Sequence, residues 1–336
     1  MKGKVHVKIS NIANKITYEF TLNRNITIIE GNSATGKTVL ISLIRAAKDK
    51  TLQGFIRVDC DYPCIAFSSD EYSWERRIKE TENSIIFFDE DASYVKTEEF
   101  AKAIQNTSNY YVIVNRESLS NLPYSVDEIY GIKESGKYGS LEPVVNEFYR
   151  IYSKYDNFED NKEICVDNII TEDKKAGFQF FNQVYNCNCF SSGGNSSIIK
   201  PLEEISDNEE TLIVADGAAF GSQVKTLEEF TRDRENIKVF LPESFEYLIL
   251  SAKIFGNHSK MIDKILENSA DYIDSSEFIS WERYFTSLVE GISKYYAYAS
   301  YDKTKLKKFY LEGINKDKIA SQIPISKECL KERLWL

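Results

Sequence analysis

The sequence is short of the residues that staple small scaffolds together. Its six cysteines, Cys60, Cys64, Cys165, Cys187, Cys189 and Cys329, include no C-x-x-C pair, and only His6 and His258 are present to supplement them. That excludes the usual structural zinc spacings and leaves reduced thiols as the expectation, with Cys187-Asn188-Cys189 the closest pair. No apolar stretch approaches the roughly 18 residues of a membrane-spanning helix. Met1 to Lys8 alternates apolar and polar residues as a strand does, instead of the basic-then-apolar order of a secretion signal, so the expectation is a cytoplasmic protein with no membrane partner. Net positive charge is missing too: 42 Lys and Arg against 52 Asp and Glu give −10. No long-range field therefore draws a polyanion, and a nucleic-acid partner needs a local patch. Tandem repeats and low-complexity tracts are also absent.

What is present is an ordinary globular composition with many aromatics: 336 residues, 42% hydrophobic and 28% charged, with 21 Tyr and 20 Phe. The length suits two domains at roughly 100–200 residues each. Lys4 to Lys8 and Ile16 to Leu22 read as a hairpin that enters a buried strand at Ile26 to Ile29. Val39 to Ala47 has helical spacing. Two short apolar runs, Phe55 to Val58 and Cys64 to Phe67, precede a brief helix at Trp74 to Lys79. The continuous runs Ser84 to Phe88 and Tyr110 to Val114 suit strands buried on both faces, with a helix near Thr97 to Asn106 between them. Glu147 to Tyr155 reads as a short aromatic helix. Strands alternating with helices predict an α/β fold with a largely parallel sheet over residues 1–155. Asp, Glu, Asn and Lys dominate 156–177, which reads as a linker. A smaller α/β pattern over 178–250 restarts at Phe178 to Val184 and includes strands at Thr211 to Val214 and Lys238 to Leu241. The region 251–336 reads as a helical tail.

The motif that carries chemistry is Gly31-Asn32-Ser33-Ala34-Thr35-Gly36-Lys37-Thr38, a complete G-x-x-x-x-G-K-[ST] pattern after a strand and before a helix. Such a loop aims backbone N–H groups and the positive helix end at one anionic spot, with Val39 following in the first turn. Gly31 and Gly36 let the backbone close around phosphate, Lys37 suits β/γ oxygens and Thr38 suits Mg²⁺. Hydrolysis also needs an acid for the metal at the end of a neighbouring strand, which Asp89 supplies, and Glu90 beside it suits orienting a water. Asn115 and Arg116 end the next strand. Asn115 suits a γ-phosphate sensor, and Arg116 suits an arginine finger given in trans, which requires an oligomer.

The hairpin, the Gly31–Thr38 loop and the Ile85 to Glu90 box resemble the P-loop NTPase superfamily, closest to its ABC-like branch, over about residues 1–135. No L-S-G-G-Q-like signature accompanies them. Together with Tyr110 to Arg116 and Leu122-Pro123-Tyr124-Ser125, the sequence is also similar to ATP-binding proteins carried on mobile elements of Gram-positive bacteria. The resemblance implies ATP and Mg²⁺ as cofactors.

In the second domain, Ile213 to Gly217 and Pro242 to Glu246 place acids at the ends of two strands. This resembles the Toprim domain behind the ATPase of overcoming-lysogenisation-defect nucleases, where a Glu after the first strand and a D-x-D hold metals. Here the first strand is read as leading into Ser191-Ser192-Gly193-Gly194 with no acid, and the second box is Asp216-Gly217-Ala218. Asp216 with Glu243 or Glu246 remains as a set for one ion, so a degenerate Toprim-like domain and an active one both stay open. Ser192 to Ser197 reads as an anion cradle or a plain turn. Lys303, Lys305, Lys307 and Lys308 read as a solvated basic face. Three functions follow as expectations: an ATPase acting on its own C-terminal half or a protein partner, an ATP-gated nuclease, and a scaffold that binds nucleotide without turnover.

Overall fold

The computed structural model describes residues 1–31, 36–49, 51–52, 54–133, 144–156, 163–193 and 198–331. The chain divides into two compact units, Met1–Tyr152 with Asn268–Ser280, and Ser153–Glu267 with Trp281–Leu336.

Among the described residues, unit 1 is built on a nine-stranded sheet. Its strands are β1 (Val5–Asn11), β2 (Ile16–Leu22), β3 (Ile26–Ile29), β4 (Ile56–Asp59), β5 (Cys64–Phe67), β6 (Ile85–Phe88), β7 (Tyr110–Val114), β8 (Ile129–Ile132) and β9 (Val144–Arg150). The order is β4-β1-β2-β9-β8-β3-β7-β6-β5. The block β8-β3-β7-β6-β5 is parallel throughout, while β1 pairs antiparallel with β2 and with β4. Every residue of β3, β6 and β7 is buried, as continuous apolar runs in a parallel sheet covered on both faces require. In β1, by contrast, Val5, Val7 and Ile9 are buried and their neighbours are not, the period of a strand with one packed face. Helix α1 (Lys37–Ala46) packs Leu40, Ile41, Leu43 and Ile44 into the same core as β1 and β6. Helices α2 (Trp74–Glu80) and α3 (Glu98–Ala103) follow, and Thr97 caps α3 by accepting from the Phe100 N–H at 3.2 Å.

Two expectations are corrected in this unit. Glu147 to Tyr155 is not a helix: residues 144–150 form β9, parallel to β2 and antiparallel to β8. Its aromatics follow a period of two, with Phe148 stacked on Phe20 at 4.3 Å and Tyr149 on the exposed face. The C-terminal third is not one helical tail either, because residues 268–280 fold into unit 1. There Gly3 N–H donates to Ala270 O at 2.7 Å, Ser275 N–H to Met1 O at 2.8 Å, and buried Asn25 Nδ2 to Ile279 O at 3.0 Å.

Unit 2 has a four-stranded sheet, all parallel, of β10 (Asn168–Thr171), β11 (Asn188–Ser191), β12 (Thr211–Val214) and β13 (Ile237–Phe240) in the order β11-β10-β12-β13. Strand β10 lies within the stretch read as linker. Phe178 to Val184 belongs to helix α4 (Ala176–Val184), which buries Phe180, Phe181 and Val184. Helices α5 (Ile199–Glu203) and α6 (Gly221–Thr231) come between the later strands. Helix α7 (Phe245–Ser251) starts at Ser244, whose hydroxyl accepts from the Tyr247 N–H at 3.1 Å. Then come α8 (Ser259–Glu267), α9 (Trp281–Ser293), α10 (Lys308–Leu311) and α11 (Gly313–Ala320).

Candidate functional site

The first candidate lies at the carboxyl edge of the parallel block in unit 1. Registers place Ile29 opposite Val114 and Phe88 opposite Ile113, so β3, β7 and β6 end nearly level. The polar residues that follow, Glu30-Gly31, Asn115-Arg116 and Asp89-Glu90, emerge side by side. A crevice outside the carboxyl ends of parallel strands is where open α/β sheets gather ligands.

Asn32, Ser33, Ala34 and Thr35 lie outside the described residues; Gly31 and Gly36 to Val39 flank them. Gly36 has φ 89°, and a Cβ there would stand 2.6 Å from the Tyr18 hydroxyl, so both backbone and space require glycine. Tyr18, its own pKa pushed up to about 12 by burial, fixes this turn by donating to Gly36 O at 2.8 Å. Lys37 opens α1, is 5% exposed, and donates from Nζ to Gly31 O at 2.6 Å, folding back over the loop. Burial lowers its pKa first, the Arg116 charge adds to that, and Glu90 opposes it. Thr38 and Val39 are exposed, and among the described residues the first turn of α1 has neither an acid nor a side-chain cap, so nothing there opposes the positive end of the helix dipole.

Asp89 is 9% exposed; its Oδ1 accepts from the Glu90 N–H at 3.0 Å and its Oδ2 stands 3.9 Å from Arg45 Nη1. Glu90 is paired through Oε1 with Arg116 Nε at 2.6 Å, so Arg116 meets this carboxylate within its own chain. Asn115 N–H bonds Ile29 O at 3.2 Å, tying β7 to β3, and its side-chain amide donates to Glu117 O at 2.6 Å. Sequence reasoning missed Tyr18, Arg45 and the partnership of Arg116 with Glu90. Each depends on which strand neighbours which, and that is not encoded locally.

The second candidate lies at the corresponding edge of the sheet in unit 2. Thr171 is level with Val214, so Glu172 follows β10 as Asp216 follows β12. Glu246, in the first turn of α7, is fully buried; its Oε1 accepts from the Tyr301 hydroxyl at 2.6 Å. Lys303 Nζ stands 2.5 Å from Glu282 Oε1, 3.8 Å from Glu246 Oε1 and 4.0 Å from Asp216 Oδ2. Asp216 Oδ1 also accepts from the Phe245 N–H at 3.2 Å. Burial first, then Glu282 and Asp173, push the Glu172 carboxyl up to about 7; burial first, then Glu282, Glu172 and Glu246, raise Asp216 well above the carboxylate range. Lys303 is raised by Glu246, Asp216 and Glu282 against the opposing effect of burial.

Asp216 and Glu246 are therefore brought together. Glu243 contributes its backbone carbonyl, which accepts from the Ala218 N–H at 3.2 Å. Ala218 stands where the second acid of a D-x-D would be, and the position between is held to glycine by packing: a Cβ on Gly217 would approach Leu241 O to 2.7 Å. The expected absence of an acid after the first strand is corrected, because that strand is β10 and Glu172 ends it. Lys303 is not part of a solvated face, being 20% exposed among carboxylates. Gly194 to Ser197 of the expected anion cradle lie outside the described residues. Among the described residues, no group of three or more His, Cys, Asp or Glu is placed to hold a metal ion, and no helix is long and apolar enough to cross a membrane.

The sequence matches no protein-family model and no curated protein.

Proposed function

We propose that unit 1 is a Mg²⁺-dependent ATPase whose nucleotide state acts on the rest of the chain or on a protein partner. One observation carries this reading. Three adjacent parallel strands end level, and the residues that follow them, Glu90 and Arg116, act electrostatically on Lys37 at the start of α1, just after left-handed Gly36. Phosphates fit there because the helix start presents its positive dipole end with no acid in the first turn, and Lys37 supplies a buried ammonium. On nucleotide binding, Lys37 exchanges the Gly31 carbonyl for β/γ oxygens.

The donor chemistry fits Mg²⁺, which prefers a few hard oxygens and keeps several waters: Thr38 offers an exposed hydroxyl and Asp89 a carboxylate at the strand end. The ion, held by those two, supplies charge neutralisation at the phosphates. Glu90 orients the attacking water and takes its proton. Before nucleotide arrives, Arg116 holds that carboxylate; an incoming γ-phosphate competes for the guanidinium and frees Glu90. Asn115 serves as a sensor only after its amide leaves the Glu117 carbonyl.

Glu90→Gln tests the hydrolytic step. Nucleotide binding is expected to persist while phosphate release falls about 100-fold or more. Wild-type protein that binds Mg·ATP and releases no phosphate, alone or as concentration is raised to drive self-association, would reject hydrolysis and leave the scaffold reading.

A further inference from the structure

We propose that Lys303 is a built-in counter-ion whose ammonium takes the cation position of the carboxylate cluster in unit 2, and that unit 2 therefore holds this cluster without a divalent cation. The Mg²⁺ expected on Asp216, Glu243 and Glu246 does not fit what is there. The point on which Asp216, Glu246 and Glu282 converge is filled by Lys303 Nζ, at 4.0, 3.8 and 2.5 Å from their oxygens. Lys303 and Asp216 line a small cleft of about 40 Å³ together with Glu172, Phe178, Phe181 and Phe245.

An independent observation marks this as a place built for positive charge. Glu246 is fully buried, and while its Oε1 accepts from Tyr301, its Oε2 has no hydrogen-bond partner. Oε2 of Glu172 is in the same condition. Burying a carboxylate with an unpaired oxygen costs several kcal/mol unless a cation or a proton stands nearby. Lys303 is the cation that the described residues supply. A second positive ion at the same point would meet its ammonium at contact distance in a half-dry cleft, where repulsion is large. The carboxylates stand too far apart around the ammonium to ligate a metal as they are; removing it lets Asp216, Glu246 and Glu282 close on the vacated point and should therefore admit a hard divalent cation such as Mn²⁺, which favours several carboxylate oxygens. The inference is independent of the ATPase reading, which concerns residues of unit 1.

The test is Mn²⁺ binding to the full-length chain without nucleotide, read from the electron paramagnetic resonance signal of free Mn²⁺, in an Asp89→Asn background that silences unit 1. With Lys303 intact, no Mn²⁺ site sensitive to Asp216→Asn is expected. Lys303→Met is expected to bind Mn²⁺ at least about tenfold more tightly, with the gain abolished by Asp216→Asn. Because an uncompensated buried Glu246 can prevent folding, Lys303→Met/Glu282→Gln is measured in parallel, and the same gain is expected from it. An Asp216-dependent Mn²⁺ site in the protein with Lys303 intact would overturn the proposal. So would a folded Lys303→Met, or failing that a folded double variant, with no gain.

Discussion

Glu128 shows how one buried side chain sets a pH response. It is 2% exposed, and burial pushes its carboxyl up to about 7 against the opposing influence of Arg24, Asn23 and Thr27. The folded protein thus keeps a proton that the unfolded chain releases near its ordinary value of 4.5. Stability from this group is complete below that value and is lost as pH rises through about 7, amounting to about 3 kcal/mol. Glu128→Gln cannot titrate, so the difference in unfolding free energy between about pH 5 and pH 8 is expected to shrink by that amount. An unchanged difference would mean that Glu128 is already ionised when folded. The residues flanking the glycine-rich loop obey a different constraint. The need for glycine at position 36, where φ is 89°, was legible from the motif spacing because loop conformation is local, whereas Tyr18 against it and the Lys37 bond to Gly31 were not. Lys303 was not legible, since a lysine beside three others in sequence reads as a solvated face until the fold surrounds it with acids.

At the level of elements, the strands that read clearly were those with uninterrupted apolar runs: β3, β6, β7 and β12, all buried throughout. Their terminal acids, Asp89 and Asp216, came with them. Strand β10 was missed because Asn168–Thr171 is short and sits among acids and lysines, although Ile169-Ile170-Thr171-Glu172, like Ile213-Val214-Ala215-Asp216, opens on two β-branched residues and runs into an acid. Strand β9 was missed because aromatic content was read ahead of alternation. The segment 268–280 could not be assigned from sequence, since its place depends on hydrogen bonds to Met1, Gly3 and Asn25 from the far end of the chain. Asn25→Ala removes the donor to the buried Ile279 carbonyl and is expected to cost about 1–3 kcal/mol locally. Hydrogen exchange should then accelerate in 268–280. Unchanged exchange would show that the segment does not depend on that bond.

For the molecule as a whole, two α/β units each gather their polar residues at the carboxyl edge of parallel strands, and the two edges differ in charge. In unit 1 the edge carries Lys37 and Arg116 beside Asp89 and Glu90, the edge to which the proposed function assigns a phosphate. In unit 2 it gathers Asp216, Glu246 and Glu282 around the Lys303 ammonium, with Glu172 lining the same cleft. With −10 overall, anion binding has to come from such a local arrangement. The central claim is that unit 1 holds Mg·ATP through Lys37. Titration calorimetry of Mg·ATP into wild-type protein and Lys37→Ala tests it most directly. Saturable one-to-one binding by wild type is predicted, weakened at least about tenfold in Lys37→Ala through loss of a charge-assisted contact to phosphate. No binding by wild type, or equal binding by both proteins, would contradict it.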